Sequence, residues 1–171
     1  MSRNAMPVNS LRAWASIPRQ IRKAIVGLSA ADLARRSGPE AWSAQEYVHH
    51  LIEANVIAAT IIIAALGKPG SVYDWSWVRP EGEWVRRLGY NRVKVGPALA
   101  FFEHLCRYVT LVVRAAPRGL KSHVHLLDTT AGARTRRTVE QVLRDEWAHA
   151  QHHLQDIAKA RKAIIRTGET S

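Results

Sequence analysis

The sequence predicts an all-α protein built as a four-helix bundle, and three observations carry that reading. Apolar residues recur at helical spacing in four separate segments. Two of those segments open with a capping-box pair, a polar residue followed three positions later by Glu or Gln. No strand-rich stretch, internal repeat or low-complexity tract interrupts the pattern. With 171 residues, 47% of them hydrophobic, the chain can bury a full core, so one helical domain over 1–171 with flexible ends is expected.

The first helix is expected from about Ser10 to Leu28. Leu11, Trp14, Ile17, Ile21, Ala24, Ile25 and Leu28 form its stripe, and Pro18 either kinks it or opens its longer part. The second follows Trp42. Ser43 and Glu46 have capping-box spacing, Trp42 and Tyr47 can staple the entry, and Gly67-Lys68-Pro69-Gly70 stops the helix near Leu66. The third starts near Pro97, carries Leu99, Phe102, Leu105, Cys106, Val109, Val112 and Val113 on one stripe, and closes at Pro117 and Gly119. The fourth opens at Thr138, where Gln141 completes another box, and extends towards Arg166.

Two longer connections remain. Gly67 to Gly96 contains Tyr73, Trp75, Trp77 and Trp84, too aromatic for a disordered linker and able to wall a pocket. Pro117 to Arg137 contains His123-Val124-His125 and a polar stretch from Asp128 to Arg137.

Composition narrows the function classes. A single cysteine, Cys106, rules out an internal disulfide, and its apolar neighbours suggest a buried, inert thiol. Met1 to Ser10 is polar and does not read as an export signal. The apolar run Ala54 to Leu66 is short of the ~20 residues a membrane span needs, so a cytoplasmic protein without a membrane partner is expected. The net charge of +11 favours anionic partners. Its Arg and Lys residues are scattered in short groups without a nucleic-acid-binding signature, so nucleic acid is the lesser alternative.

The histidines carry the chemistry. His149 and His153 lie four residues apart on one face of the fourth helix, a spacing at which two imidazoles can grip one ion. Leu143, Trp147, Ala150, Leu154 and Ile157 run beside them. His50 follows Glu46 by four residues and heads a stripe of Ala54, Ile57 and Ile61. A histidine bordering a core needs partners for its nitrogens. Spacing alone leaves two readings open, hydrogen-bonded core residues or three ligands to one ion. His49 and His152 point about a quarter turn away, exposed or behind the ligands, and His104 is isolated. His123 and His125 would share a face only on a strand, where no further ligand is near. Glu146 and Asp156 share the face of His149, and either orients an imidazole, accepts a proton or is a solvated carboxylate.

These residues resemble the DinB/YfiT-like helical bundles. Trp42-Ser43-x-x-Glu46-x-x-x-His50-Leu51 is similar to the family's W-S-x-x-E-x-x-x-H-L, and His149-x-x-His152-His153 to its H-x-x-H-H. The chain departs at Leu154-Gln155-Asp156, where many relatives read R-G-Q. The resemblance covers Leu28 to about Ile157 and implies a divalent metal, zinc or nickel, held by His50, His149 and His153. It also implies a homodimer, and as activity either a thiol S-transferase using mycothiol or bacillithiol, or a hydrolase. The partners would be a small electrophile and a low-molecular-weight thiol. The alternative is a non-catalytic metal- or small-molecule-binding bundle linked to stress.

Overall fold

The computed structural model of the protein describes residues 9–78, 81–128 and 132–168. The expected first helix is two helices, α1 (Ser10–Ala15) and α2 (Ile17–Ile25). The chain turns at Ser16, whose N–H bonds back to the Ala13 carbonyl, and Pro18 falls in the first turn of α2, where its missing N–H costs nothing. The apolar stripe runs on across the break, so that Trp14, Ile17 and Ile21 are all fully buried. A short helix not anticipated from the sequence, α3 (Ala30–Ala34), follows through a capping box between Ser29 and Asp32.

Helix α4 (Ala44–Gly67) begins at the Ser43–Glu46 box and is the centre of the molecule, packed against α6 (Val95–Ala115), α7 (Val139–Gly168) and α3. It is long and apolar enough to cross a membrane, a longer helix than the Ala54 to Leu66 run implies, yet half of that stretch is already covered by its neighbours. One polar group is buried in its middle and fully satisfied. Asn55 accepts the Trp14 indole N–H at 2.6 Å and donates to the Leu51 carbonyl at 2.7 Å, which ties α1 to α4. Helix α6 starts two residues ahead of Pro97. At the start of α7, the Thr138 hydroxyl accepts the Gln141 N–H and the Gln141 side chain accepts the Thr138 N–H, as the spacing predicts. The α1–α2 pair, α4, α6 and α7 make the four members of the bundle. Between α4 and α6 the chain also forms α5 (Glu81–Leu88) and a 3-10 turn, Tyr90–Arg92.

The connections are not purely loops. Strands β1 (Val72–Asp74), β2 (His123–Asp128) and β3 (Ala133–Thr138) form a sheet in the order β1-β2-β3, with β1 parallel and β3 antiparallel to β2. This small sheet lies in the two connections, outside the four expected helices, and the chain has no strand-rich stretch beyond it among the described residues. Ala133–Thr138 reads Ala-Arg-Thr-Arg-Arg-Thr, which has no apolar alternation to announce a strand and is held by pairing with β2. His123 and His125 do therefore share a face, and Arg136 is the cross-strand partner of His125.

Candidate metal centre

The position of His50 is set by the start of α4. The Ser43 hydroxyl accepts the Glu46 N–H at 3.2 Å, and the Glu46 carboxylate accepts the Ser43 N–H at 2.8 Å. Arg36, arriving from α3, donates from its guanidinium to the same carboxylate. Glu46 is only 1% exposed. Burial pushes its carboxyl up, but the bonds from Arg36 and Ser43 outweigh burial and leave it below the ordinary glutamate value. A buried charge is thus paired on three sides, and the helix entry is pinned one turn before His50.

Helix α7 crosses α4 and brings His149 and His153 to His50. The Nε2 atoms of His50 and His149 are 3.1 Å apart. Ring centroids are 5.0 Å apart for His50 and His149, 5.1 Å for His50 and His153, and 4.7 Å for His149 and His153, all edge to face. One nitrogen from each ring lies within 4.8 Å of the others. Two nitrogens bound to one tetrahedral zinc at about 2.0–2.1 Å are about 3.3 Å apart. The observed nitrogen pair already has nearly that separation. Burial, and after it the neighbouring His149 and His153, holds His50 down at about 3, so its ring is neutral, the form that binds a metal.

Carboxylates stand behind both α7 rings. Asp156 Oδ2 lies 3.3 Å from His153 Nδ1, and Glu146 Oε2 lies 3.6 Å from His149 Nδ1. The second distance is too long for a hydrogen bond, and Glu146 Oε2 is buried with no hydrogen bond among the described residues. Carboxylates at Nδ1 fix ring orientation and raise basicity at Nε2, the arrangement of metal-binding histidines. Burial raises the Asp156 carboxyl, but Lys159, donating at 2.8 Å, and His153 outweigh it, so Asp156 is ionised. Trp42 and Tyr47 serve as more than a staple. Their rings pack 5.2 Å apart, and Trp42 sits 5.3 Å from His50 and Tyr47 5.3 Å from His153, closing the cluster on one side. Neither this aromatic wall nor the part played by Arg36 was read from the sequence. Ser43–Glu46 spacing and the Trp42 position were the available signals for the former, and for Arg36 there was none.

On another side of His50 and His149 opens a cavity of about 190 Å³, walled by Ile57, Trp75, Trp84 and Glu146. A second hollow of about 280 Å³ shares Ile61, Trp75 and Glu146 with it and adds Thr135 and Arg137. Two of the three expected tryptophans thus wall the space, while Trp77 lines a neighbouring recess, with His49 and Tyr90, that shares Ile57 and Trp84 with the cavity.

The remaining histidines are not among the three converging rings. His152 is 70% exposed with Nε2 3.6 Å from Asp156, and with His153 and Asp156 it forms a second group of close donor atoms that shares a member with the first. His49, expected exposed or behind the ligands, is instead 5% exposed and turned to another partner, bonded to the Val93 carbonyl at 2.9 Å and stacked on Tyr90. The 90–93 segment covers that side of α4. His104 bonds the Ala100 carbonyl of its own helix. Cys106 is buried, and burial pushes its thiol far above the ordinary range, as expected of an inert residue.

With this geometry in place, the sequence model of the DinB superfamily matches residues 13–157, from α1 through all three histidines. The chain belongs to the DinB superfamily. Among solved structures, YfiT from Bacillus subtilis superposes with a TM-score of 0.74 at 18% identity, covering 98% of this chain and 93% of that one. That protein is described as a probable metal-dependent hydrolase with an unusual four-helix bundle topology. At this identity the likeness establishes the fold. Comparison with curated proteins gives no match. Within the DinB fold of this chain, the metal-ligand geometry lies where α4 and α7 cross.

Proposed function

We propose that this DinB-superfamily protein is a metal-dependent enzyme whose divalent ion, zinc or nickel, is held by His50, His149 and His153, and whose reaction is hydrolysis of a compact electrophile. The observation that carries the reading is the place of Glu146, at once behind His149 and in the wall of the adjoining cavity. Three protein ligands leave an ion an open position. When bound, such an ion supplies Lewis acidity that makes water or a thiol nucleophilic near neutral pH.

The protein's own groups have distinct roles in this reading. Glu146, in the cavity wall, accepts the proton of the attacking nucleophile, and its charge 3.6 Å from His149 Nδ1 favours a cation at that ring. Asp156 acts through His153 and is a positioning residue. Ile57, Trp75 and Trp84 exclude water from the electrophile. The cavity is smaller than the about 300–1,000 Å³ of drug-sized sites, so only a small or slender group reaches the histidines.

Thiol S-transfer is the second reading, and the neighbouring hollow favours it. Thr135 and Arg137 there can receive the polar tail of a low-molecular-weight thiol of the mycothiol or bacillithiol type while its sulfur reaches the histidines. Metal-loaded protein assayed against small activated esters and alkyl halides, with and without such thiols, separates the two. Turnover without thiol supports hydrolysis, and turnover only with thiol supports transfer. Turnover in neither condition leaves a non-catalytic metal-binding bundle. Glu146→Gln is expected to lower the rate about 10²–10⁴-fold if it accepts the proton.

A further inference from the structure

A further concavity, of about 750 Å³, lies outside the metal centre and shares no lining residue with its two hollows. Five cationic or titratable basic side chains surround it. Arg114 comes from the last turn of α6, Arg118 from the residue that precedes the following 3-10 turn (Gly119–Lys121), Lys121 from the end of that turn, His123 from the start of β2 and Arg136 from β3. No carboxylate lines it. Among the described residues, none of Arg114, Arg118, Lys121 and Arg136 takes part in an ion pair. The floor is apolar, made by Leu11, Val113, Pro117 and Leu120.

The concavity is a built feature. A Cβ on Gly119 would stand 2.2 Å from the Val113 carbonyl oxygen, so the turn closes onto α6 only because that residue is glycine. Pairing of β2 with β3 fixes Arg136 opposite His125, whose ring is 5.6 Å from that of His123. Arg114 and Arg118 could be explained as cations at the negative end of α6. Lys121, His123 and Arg136 lie beyond the helix and are not accounted for in that way. Like charges gathered around one hollow without a counter-ion repel one another, and a bound multivalent anion removes that cost. Arginine forks match phosphate oxygens bidentately, and an apolar floor between them suits the organic part of a phosphate ester.

We propose that this hollow binds a small phosphate ester, its phosphates held by Arg118, Arg136, Lys121 and Arg114 and its organic body resting on Leu11 and Leu120. The basic groups gather around one hollow and are not strung along an extended track, which favours a small molecule over a polynucleotide. The site is independent of the enzymatic reading above.

Calorimetric titration of the full-length, metal-loaded protein with ADP, adenosine and pyrophosphate tests it, together with NMR of the histidine rings. ADP is expected to bind more tightly than pyrophosphate and adenosine not measurably, with the His123 resonances shifting and those of His104 unmoved. Arg118→Gln with Arg136→Gln should weaken ADP roughly tenfold or more, since charge-assisted bonds are lost. Arg86→Gln with Arg107→Gln removes the same charge elsewhere and should have little effect. Equal weakening in both double variants would mean bulk charge attraction and overturn the site. So would no binding at millimolar ADP, a shift at His149 in place of His123, or displacement of ADP by oligothymidylate at lower concentration than by pyrophosphate.

Discussion

His149 and His153 on α7 and His123 and His125 on β2 are two histidine pairs with similar ring separations, 4.7 Å and 5.6 Å, and opposite surroundings. The α7 pair faces a third imidazole and is backed by Glu146 and Asp156. The β2 pair has Arg136 beside it, and burial together with that guanidinium pushes His123 below the ordinary histidine range. Ring proximity is common to both. What differs is the sign of the neighbouring charge: carboxylates behind the rings add to their basicity and tolerate a cation in front, whereas a guanidinium beside them repels one. One pair is suited to a metal ion and the other to an anion.

The largest expected effect that tests this contrast is on metal retention. His153→Ala should abolish tight binding, a greater loss than removing any outer partner, whereas His152→Ala and His125→Ala should leave metal content after dialysis unchanged. Equal loss in His152→Ala and His153→Ala would move the site to the other face of α7. Next come the carboxylates. Glu146→Gln and Asp156→Asn should each weaken metal affinity about 10–100-fold, measured by competition with a chromophoric chelator. No change in either would make ring proximity sufficient after all and undo the contrast.

A smaller effect concerns the frame that holds His50. Glu46→Gln removes a buried charge bonded to Arg36 and Ser43 and should cost about 1–3 kcal/mol in urea unfolding. The native Glu46 carboxyl lies below the ordinary glutamate value, held there by Arg36 and Ser43 against the effect of burial. Its contribution is therefore complete above the unfolded value and lost as pH falls through the lower folded one, so the gap between wild type and variant should close in acid. A gap unchanged at low pH would mean that packing, not charge, holds the helix start. The smallest effect is on the fold itself. Chelation should preserve helical circular dichroism at room temperature and lower the melting temperature, because metal binds only the native state. Unfolding on chelation would make the ion a structural staple.

The parts of the site legible in the sequence are those encoded locally. Ser43 with Glu46 and Thr138 with Gln141 mark helix starts by spacing, and His149 with His153 share a face by periodicity alone. The convergence of His50 with that pair depends on how α4 crosses α7, which no local pattern fixes. Residues whose state depends on a distant partner were not legible. The strand Ala133–Thr138 is polar on both faces and owes its conformation to β2. His49 is buried because the Tyr90–Arg92 turn and Val93 cover it, and α4 carries apolar residues around most of its circumference, so no exposed side could be assigned. The break at Ser16 lay two residues from the Pro18 signal, within the span a proline disturbs.

The most direct test of the account is X-ray absorption at the metal edge of zinc-loaded protein, with metal content measured on the same sample. One zinc per chain is expected, with three imidazole nitrogens at about 2.0–2.1 Å, no sulfur, and a remaining light-atom position that changes on adding a competing anion. A sulfur shell, four imidazoles, or an unaltered spectrum in His50→Ala would contradict a centre formed by His50, His149 and His153.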